Sequence, residues 1–295
     1  MALTFRKLHP LFVGEVSPVD LRRVHDEETL ARIRAGMDEF AVLVFRNQPF
    51  ADNEHLEFAQ RLDGVLHTKL GISALQKNRL GNEALGDISN LDEKGDLVKS
   101  DNRRRMYSLG NRLWHTDASF QDPPGRYSML SAKVVPPVPA DTEYADMRAA
   151  YDTLPAETKA RCEGLRVHHS IAYSRQTLGF DFSESEQDAL KGAVHPLIRT
   201  IPRSNRRSLY VASHASRIID WPVPEGRLFL RELIEHATQR QFVYRHQWRE
   251  DDLVIWDNRA TMHRAMPFDD TRYKRELRRV TTLDIPQPVA VTSRA

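Results

Sequence analysis

The run Asn111-Arg-Leu-Trp-His-Thr-Asp-Ala-Ser-Phe120 holds the residues most able to do chemistry. On an extended strand, side chains two positions apart point to the same side, so His115 and Asp117 would converge. His263, far downstream in Trp256-Asp-Asn-Arg-Ala-Thr-Met-His-Arg264, offers a third ligand. Two imidazoles and one carboxylate on one face of a metal are the ligand set of a non-haem Fe(II) oxygenase site, with positions left open for co-substrate and O2. A His-x-Asp pair alone is weak, because short pairs of this kind are mostly surface or structural residues. The same set also suits a hydrolytic zinc, and a non-catalytic binding protein with structural histidines is the blander alternative. Downstream, Arg275, Leu277 and Arg279 would share one strand face. Two inward arginines are costly without anions, and a guanidinium fork matches a carboxylate with two parallel hydrogen bonds. Arg272 and Arg278 read as a solvated basic edge.

The elements that must position these groups alternate helix and strand early, then become strand-rich. Leu30, Ile33 and Met37 have helical spacing over residues 26–39, and the apolar run 41–45 reads as a buried strand. Asp52 or Asn53 is expected to cap a second helix carrying Leu56, Ala59 and Leu62. Residues 76–108 are polar, with several glycines and the basic run Arg103-Arg-Arg105, and are expected to be a long excursion acting as a lid over the site. Strands follow over 127–135 (stopped by Pro136-Pro137), 194–198, 208–212, 242–248, 253–256 and 277–283. Helices are expected near 147–163, 184–191 and 225–237, the last facing inward with Phe229, Leu233, Ile234 and Ala237. Many short strands with helices packed outside predict a mainly β fold with peripheral helices (α+β), a jelly-roll core enclosing a small-ligand pocket. No boundary argues for more than one domain over residues 1–295.

The bulk properties narrow the class. With 40% hydrophobic and 28% charged residues, the chain is an ordinary globular one. Lys plus Arg number 43 and Asp plus Glu 41, a net charge of +2, so no nucleic-acid partner is indicated. One cysteine, Cys162, excludes an internal disulfide framework. There is no apolar signal core at the N-terminus and no run long enough to span a membrane, so a cytoplasmic location is expected.

The chain resembles the taurine/2,4-dichlorophenoxyacetate dioxygenase group of Fe(II)/2-oxoglutarate-dependent oxygenases, and within it the aryloxyacetate branch. The matching runs include Leu8-His-Pro-Leu-Phe12, Val42-Leu-Val-Phe-Arg46, Asp87-Ile-Ser-Asn90 and Leu113-Trp-His-Thr-Asp-Ala-Ser-Phe-Gln121. Arg126-Tyr-Ser-Met-Leu-Ser131, Asp146-Met-Arg-Ala-Ala-Tyr-Asp152, Phe242-Val-Tyr-Arg-His246, Trp256-Asp-Asn-Arg259 and Arg275-Glu-Leu-Arg-Arg279 continue it. The resemblance implies a double-stranded β-helix fold and His115, Asp117 and His263 as iron ligands. It implies Thr142 and Arg275 on the distal carboxylate of 2-oxoglutarate, Arg279 on the substrate carboxylate, and Lys69 and His214 in the substrate pocket. The implied reaction, with O2 and 2-oxoglutarate, hydroxylates the ether-adjacent carbon of an aryloxyacetate, as in 2,4-D degradation. It yields a phenol and glyoxylate with succinate and CO2. Another carboxylate, a 2-aryloxypropionate or a taurine-like sulfonate would serve the same chemistry, and the resemblance also implies a homo-oligomer. Two departures stand out. Pro139-Ala140 replaces the group's Gly-Gly before Asp141-Thr142, and one extra residue between His263 and the co-substrate arginine makes Lys274 a competitor for the place of Arg275.

Overall fold

The strand Leu253–Asp257 is apolar from its first residue to Trp256 because it is sandwiched. Val254 and Trp256 face one way, and Leu253 and Ile255 the other, all buried. This strand lies at the centre of a seven-stranded sheet in the computed structural model, which describes residues 3–68, 79–188 and 190–285. The strand order is Thr4–Lys7, Gly14–Ser17, Val42–Phe45, Leu253–Asp257, Gly125–Val134, Glu276–Leu283, Leu85–Ser89. All neighbours are antiparallel except Gly14–Ser17 with Val42–Phe45.

Alternation along these strands decides what covers each face. Leu43, Phe45, Met129, Ile255 and Val280 pack under the helices Glu27–Phe40 and Asp52–Asp63, which contribute Ile33, Met37, Phe58 and Leu62. On the other face Val42, Val44, Leu130, Trp256 and Leu277 meet Tyr144 and Trp248. Tyr144 belongs to a second sheet, ordered Val243–His246, Thr142–Asp146, Thr261–Ala265. The two sheets enclose the jelly-roll core. Behind the second sheet, Met147, Val243 and Met262 pack on Phe229, Leu230 and Leu233 of the helix Val223–Ala237.

Several expectations are refined. Asp26 caps the first helix by accepting from Thr29 N–H. In the second helix Asp52 and Asn53 are inside rather than capping, and the Glu54 carboxylate accepts from Ala51 N–H at 2.7 Å. The helix expected at 147–163 is two, Met147–Asp152 and Ala156–Cys162, because Pro155 lacks the N–H to continue it. Likewise 194–198 divides into Ala193–Pro196 and Ile198–Ile201, and the later strands are Arg206–Leu209 and Val243–His246. The 184–191 helix spans Glu184–Asp188. The largest correction concerns 76–108. Leu85–Ser89 is no excursion but the edge strand of the main sheet, paired with Glu276–Leu283. Its periodicity is hidden because Asp87 faces three arginines, Arg79 and Arg104 on its own segment and Arg278 across the pair, instead of packing apolar. Arg278 is therefore buried at 8% exposure, between Asp87, Glu276 and Asp52, while Arg272 is exposed as expected.

Candidate active site

His115 and His263 are brought together by their own backbones. Each amide donates to the other's carbonyl, at 3.0 and 2.8 Å, in an isolated antiparallel bridge. Asp117 is not on a strand. It begins a turn in which Ala118 takes a φ of 56°, so the turn rather than strand alternation aims the carboxylate. One ring nitrogen from each histidine and one Asp117 oxygen lie within 4.8 Å of one another.

The surrounding hydrogen bonds fix His115 and Asp117, two of the three groups. His115 Nδ1 is 2.7 Å from the Leu113 carbonyl, so Nδ1 carries the proton and Nε2 is left as the ligand. Asn258 Oδ1 accepts from Asp117 N–H at 3.0 Å and from the Trp256 indole at 3.0 Å. Asn258 Nδ2 donates to Ser128 Oγ at 2.9 Å, and Ser128 donates to Asp117 Oδ2 at 2.7 Å. Asp117 Oδ1 receives Arg279 Nη1 at 2.6 Å. His263 Nε2 faces Asp117 Oδ2 at 3.9 Å.

Protonation states follow from these surroundings. Burial pushes the His115 imidazole down to about 4 and holds His263 well below its usual value. Burial alone would raise the Asp117 carboxyl, but Arg279, His263, His115 and the Ser128 hydroxyl hold it at about 2. Two neutral imidazoles and one ionised carboxylate are what a divalent cation requires. The donor set thus fits Fe(II).

Beside this cluster the same cavity has a wall of hydrogen-bond donors. Trp248 Nε1 donates to Thr142 Oγ1 at 2.9 Å. An indole can only donate, so the hydroxyl's own proton is free for an acceptor in the cavity. Arg275 is 8% exposed, and among the described residues no carboxylate forms an ion pair with it. Burial lowers its pKa to about 10 despite Tyr144 and Asp141 nearby. Lys274 is exposed and turned to the Gly95 carbonyl and Asp96, so Arg275 alone of the two reaches the cavity and the extra residue falls in the preceding loop.

The remaining expected residues divide. Arg279 lines the cavity but already grips Asp117. His214 is buried behind His115, ring centroids 6.0 Å apart, with Nδ1 3.2 Å from Ser119 Oγ. It is not among the described side chains lining the cavity. Lys69 lies outside the described residues. Sequence reasoning assigned no role to Ser128, Trp248 or Asn258. Only Asn258 left a signal, as a polar residue ending an apolar strand in the Asp-Asn-Arg run.

Comparison with known proteins is consistent with this geometry. The family model for the taurine catabolism dioxygenase TauD, TfdA family matches residues 4–281. The chain belongs to this family of dioxygenases. It is 44% identical over 285 residues to an alpha-ketoglutarate-dependent 2,4-dichlorophenoxyacetate dioxygenase of Cupriavidus pinatubonensis, covering 96% of this chain and 99% of that one. It is 33% identical to an (S)-phenoxypropionate/alpha-ketoglutarate-dioxygenase of Sphingobium herbicidovorans, over 92% of each chain. Its fold is similar to the crystal structure of AAD-2 in complex with Mn(II) and N-oxalylglycine. The TM-score is 0.92 at 43% identity, covering 96% of this chain and 98% of that one. As a family member the chain has the jelly-roll core expected above. No helix among the described residues is long and apolar enough to cross a membrane.

Proposed function

We propose that this dioxygenase uses Fe(II), 2-oxoglutarate and O2 to hydroxylate the ether-adjacent carbon of an aryloxyacetate such as 2,4-D. The observation that carries the reading is Arg275, a buried guanidinium with no acid partner among the described residues, facing the same cavity as the His115/Asp117/His263 set. A hydrolytic zinc site has no use for that cation, whereas a dicarboxylic co-substrate supplies its counter-ion. The 44% identity to a 2,4-dichlorophenoxyacetate dioxygenase supports the substrate class.

In this reading His115, Asp117 and His263 hold the iron. Arg275 and the Thr142 hydroxyl bind the distal carboxylate of 2-oxoglutarate. Bound Fe(II), with 2-oxoglutarate and O2, supplies the oxidising chemistry. Arg279 touches Asp117, so a substrate carboxylate held on its remaining donors presents the adjacent CH2 to the ligand set. Ile88, Leu109, Leu130 and Phe268 offer the aryl ring an apolar wall. Hydroxylation makes a hemiacetal, which loses its hydroxyl proton and expels the phenol, leaving glyoxylate. His214 acts behind His115 rather than on the substrate, and any role of Lys69 rests on family resemblance.

Of the lid expected at 76–108, residues 76–78 lie outside the described ones and 85–89 belong to the sheet, so residues 90–108, running on into Leu109–Arg112, serve as the lid in this scheme. Asn90 Nδ2 ties it to the Asp270 and Tyr273 carbonyls, and Arg105 pairs with Asp270 at 2.9 Å, while Leu109 lines the cavity. Protease nicking in this stretch should slow when iron, 2-oxoglutarate and substrate are present. Unchanged nicking would remove the lid from the scheme.

The deciding experiment is anaerobic reconstitution with Fe(II) and 2-oxoglutarate, followed by O2 with and without 2,4-D. Succinate and 2,4-dichlorophenol are expected in step. Succinate without dichlorophenol moves the substrate to another carboxylate or a sulfonate. Neither product, from protein carrying iron, overturns the oxygenase reading.

A further inference from the structure

The cavity has a second polar feature that the scheme above leaves unused. Arg175, on the short helix Ile171–Gln176, is 3% exposed. Among the described residues it has no carboxylate partner. Its guanidinium lies 4.7 Å over the Tyr107 ring and donates to Ser174 Oγ at 3.1 Å and to Asn111 Oδ1 at 3.3 Å. It sits so close to Gly110 that a Cβ there would come within 2.2 Å of it. Gly110 therefore lets a buried cation reach the backbone of a turn whose next residue, Asn111, lines the cavity.

Arginine has donors only, so the atom of Asn111 that faces it must be the amide oxygen. This removes the usual ambiguity of an asparagine side chain. The Nδ2 group, with two donor hydrogens, is left without a partner among the described residues. The acids lining the same cavity are already taken: Asp270 by Arg105 and Arg112, Asp87 by Arg79 and Arg104. Asn111, Arg279, Thr142 and Arg275 thus offer donors to a ligand rich in acceptors. Two carboxylates meet that demand, one at Arg275 with Thr142 and one at Arg279 with Asn111.

We propose that Asn111 is a specificity-determining donor to the substrate carboxylate, oriented by the buried guanidinium of Arg175. The proposal rests on the aryloxyacetate reading above. Charge explains why a neutral amide does this work. Fe(II), Arg275 and Arg279 already balance Asp117, the co-substrate dianion and the substrate anion. Arg175 stays behind Gly110, out of reach of the ligand, and acts through the amide.

The test is steady-state kinetics with 2,4-D on the reconstituted holoenzyme, with melting temperature as a check on folding. Asn111→Ala should raise KM for 2,4-D about tenfold, the scale of one hydrogen bond to a charged group, with KM for 2-oxoglutarate and kcat little changed. Arg175→Met should raise the same KM, and the double variant should be no worse than the worse single one. Asn111→Asp gives Arg175 the counter-ion it lacks, so it should melt no lower than wild type while raising KM for 2,4-D at least as much as Asn111→Ala. That combination separates recognition from a merely structural role. An unchanged KM in Asn111→Ala, or additive effects of the two single changes, would overturn the proposal while leaving the reaction intact. Wild-type enzyme that decarboxylates 2-oxoglutarate but releases no dichlorophenol overturns the substrate class and this anchoring role together.

Discussion

Arg148 and Arg275 are both buried arginines, and they are handled in opposite ways. Arg148 is fully enclosed and completely answered. Its Nε and Nη2 fork onto Asp146 at 2.9 and 3.1 Å, and Nη1 donates to the carbonyls of Asp38 and Glu39. Arg259 repeats the device two residues after Asp257. Arg275 has no such acid among the described residues. A charge placed to hold the fold together brings its counter-ion within the chain, from two residues away at Arg148 and Arg259 and from distant segments at Arg278. A charge placed to hold a ligand leaves the counter-ion to the ligand.

The contrast can be broken at either end. Arg148→Ala would leave Asp146 buried and unpaired, and should cost about 3–5 kcal/mol in a urea unfolding curve. The folded fraction should keep its KM for 2-oxoglutarate. Arg275→Leu should do the reverse. It removes an uncompensated buried cation, so unfolding should shift little or toward higher urea, while KM for 2-oxoglutarate rises roughly a hundredfold. Equal losses of stability in both variants would mean that Arg275 is structural after all.

A smaller effect should come from the groups that orient Asp117. Ser128 and Asn258 hold one carboxylate oxygen and the backbone of this ligand without touching the metal position themselves. Ser128→Ala should weaken metal affinity roughly tenfold, the lower range for such supporting partners. Titration of apo-protein with Mn(II), followed by electron paramagnetic resonance, reads this without turnover. Wild-type affinity in Ser128→Ala would show that Arg279 alone suffices to fix the carboxylate.

Much of this site was legible because its parts lie in short, dense runs. His115 and Asp117 sit two residues apart, Arg275 and Arg279 four apart, and the continuous apolar runs of the sandwiched strands mark the sheet beside them. What escaped depends on distant chain meeting in space. Arg175 and Asn111 are 64 residues apart, and only the folded chain sets helix 171–176 against the turn at 109–112. The edge strand Leu85–Ser89 was hidden for a related reason: Asp87 faces arginines rather than core, so the alternation reads as polar loop. Arg278 reads as a surface residue in its local sequence because its partners Asp52 and Asp87 come from elsewhere in the chain. Turn geometry at Ala118, which aims Asp117, has no sequence mark at all, since alanine has no preference for positive φ.

The same distinction between answered and unanswered polar groups extends to a histidine far from the cavity. His55, on the second helix, is wholly buried against the Phe50 ring, and among the described residues neither of its ring nitrogens has a hydrogen-bond partner. No ligand could reach it there. Burial pushes it down to about 3, with Lys133 adding to the shift. The unfolded chain takes up its proton near the ordinary value of about 6.5. Below that pH the unfolded state binds more protons than the folded one, so stability is full above about pH 6.5 and declines as pH falls toward 3. His169, also buried and pushed to about 3, works in the same direction. His55→Leu should therefore be neutral or mildly stabilising at pH 8 and should flatten the acid limb of a stability–pH curve measured on apo-protein. Arg275→Leu should leave that limb unaltered, because arginine does not titrate there. If His55→Leu destabilises the protein at pH 8 and leaves the acid limb as steep as before, the imidazole has a partner that its packing does not reveal.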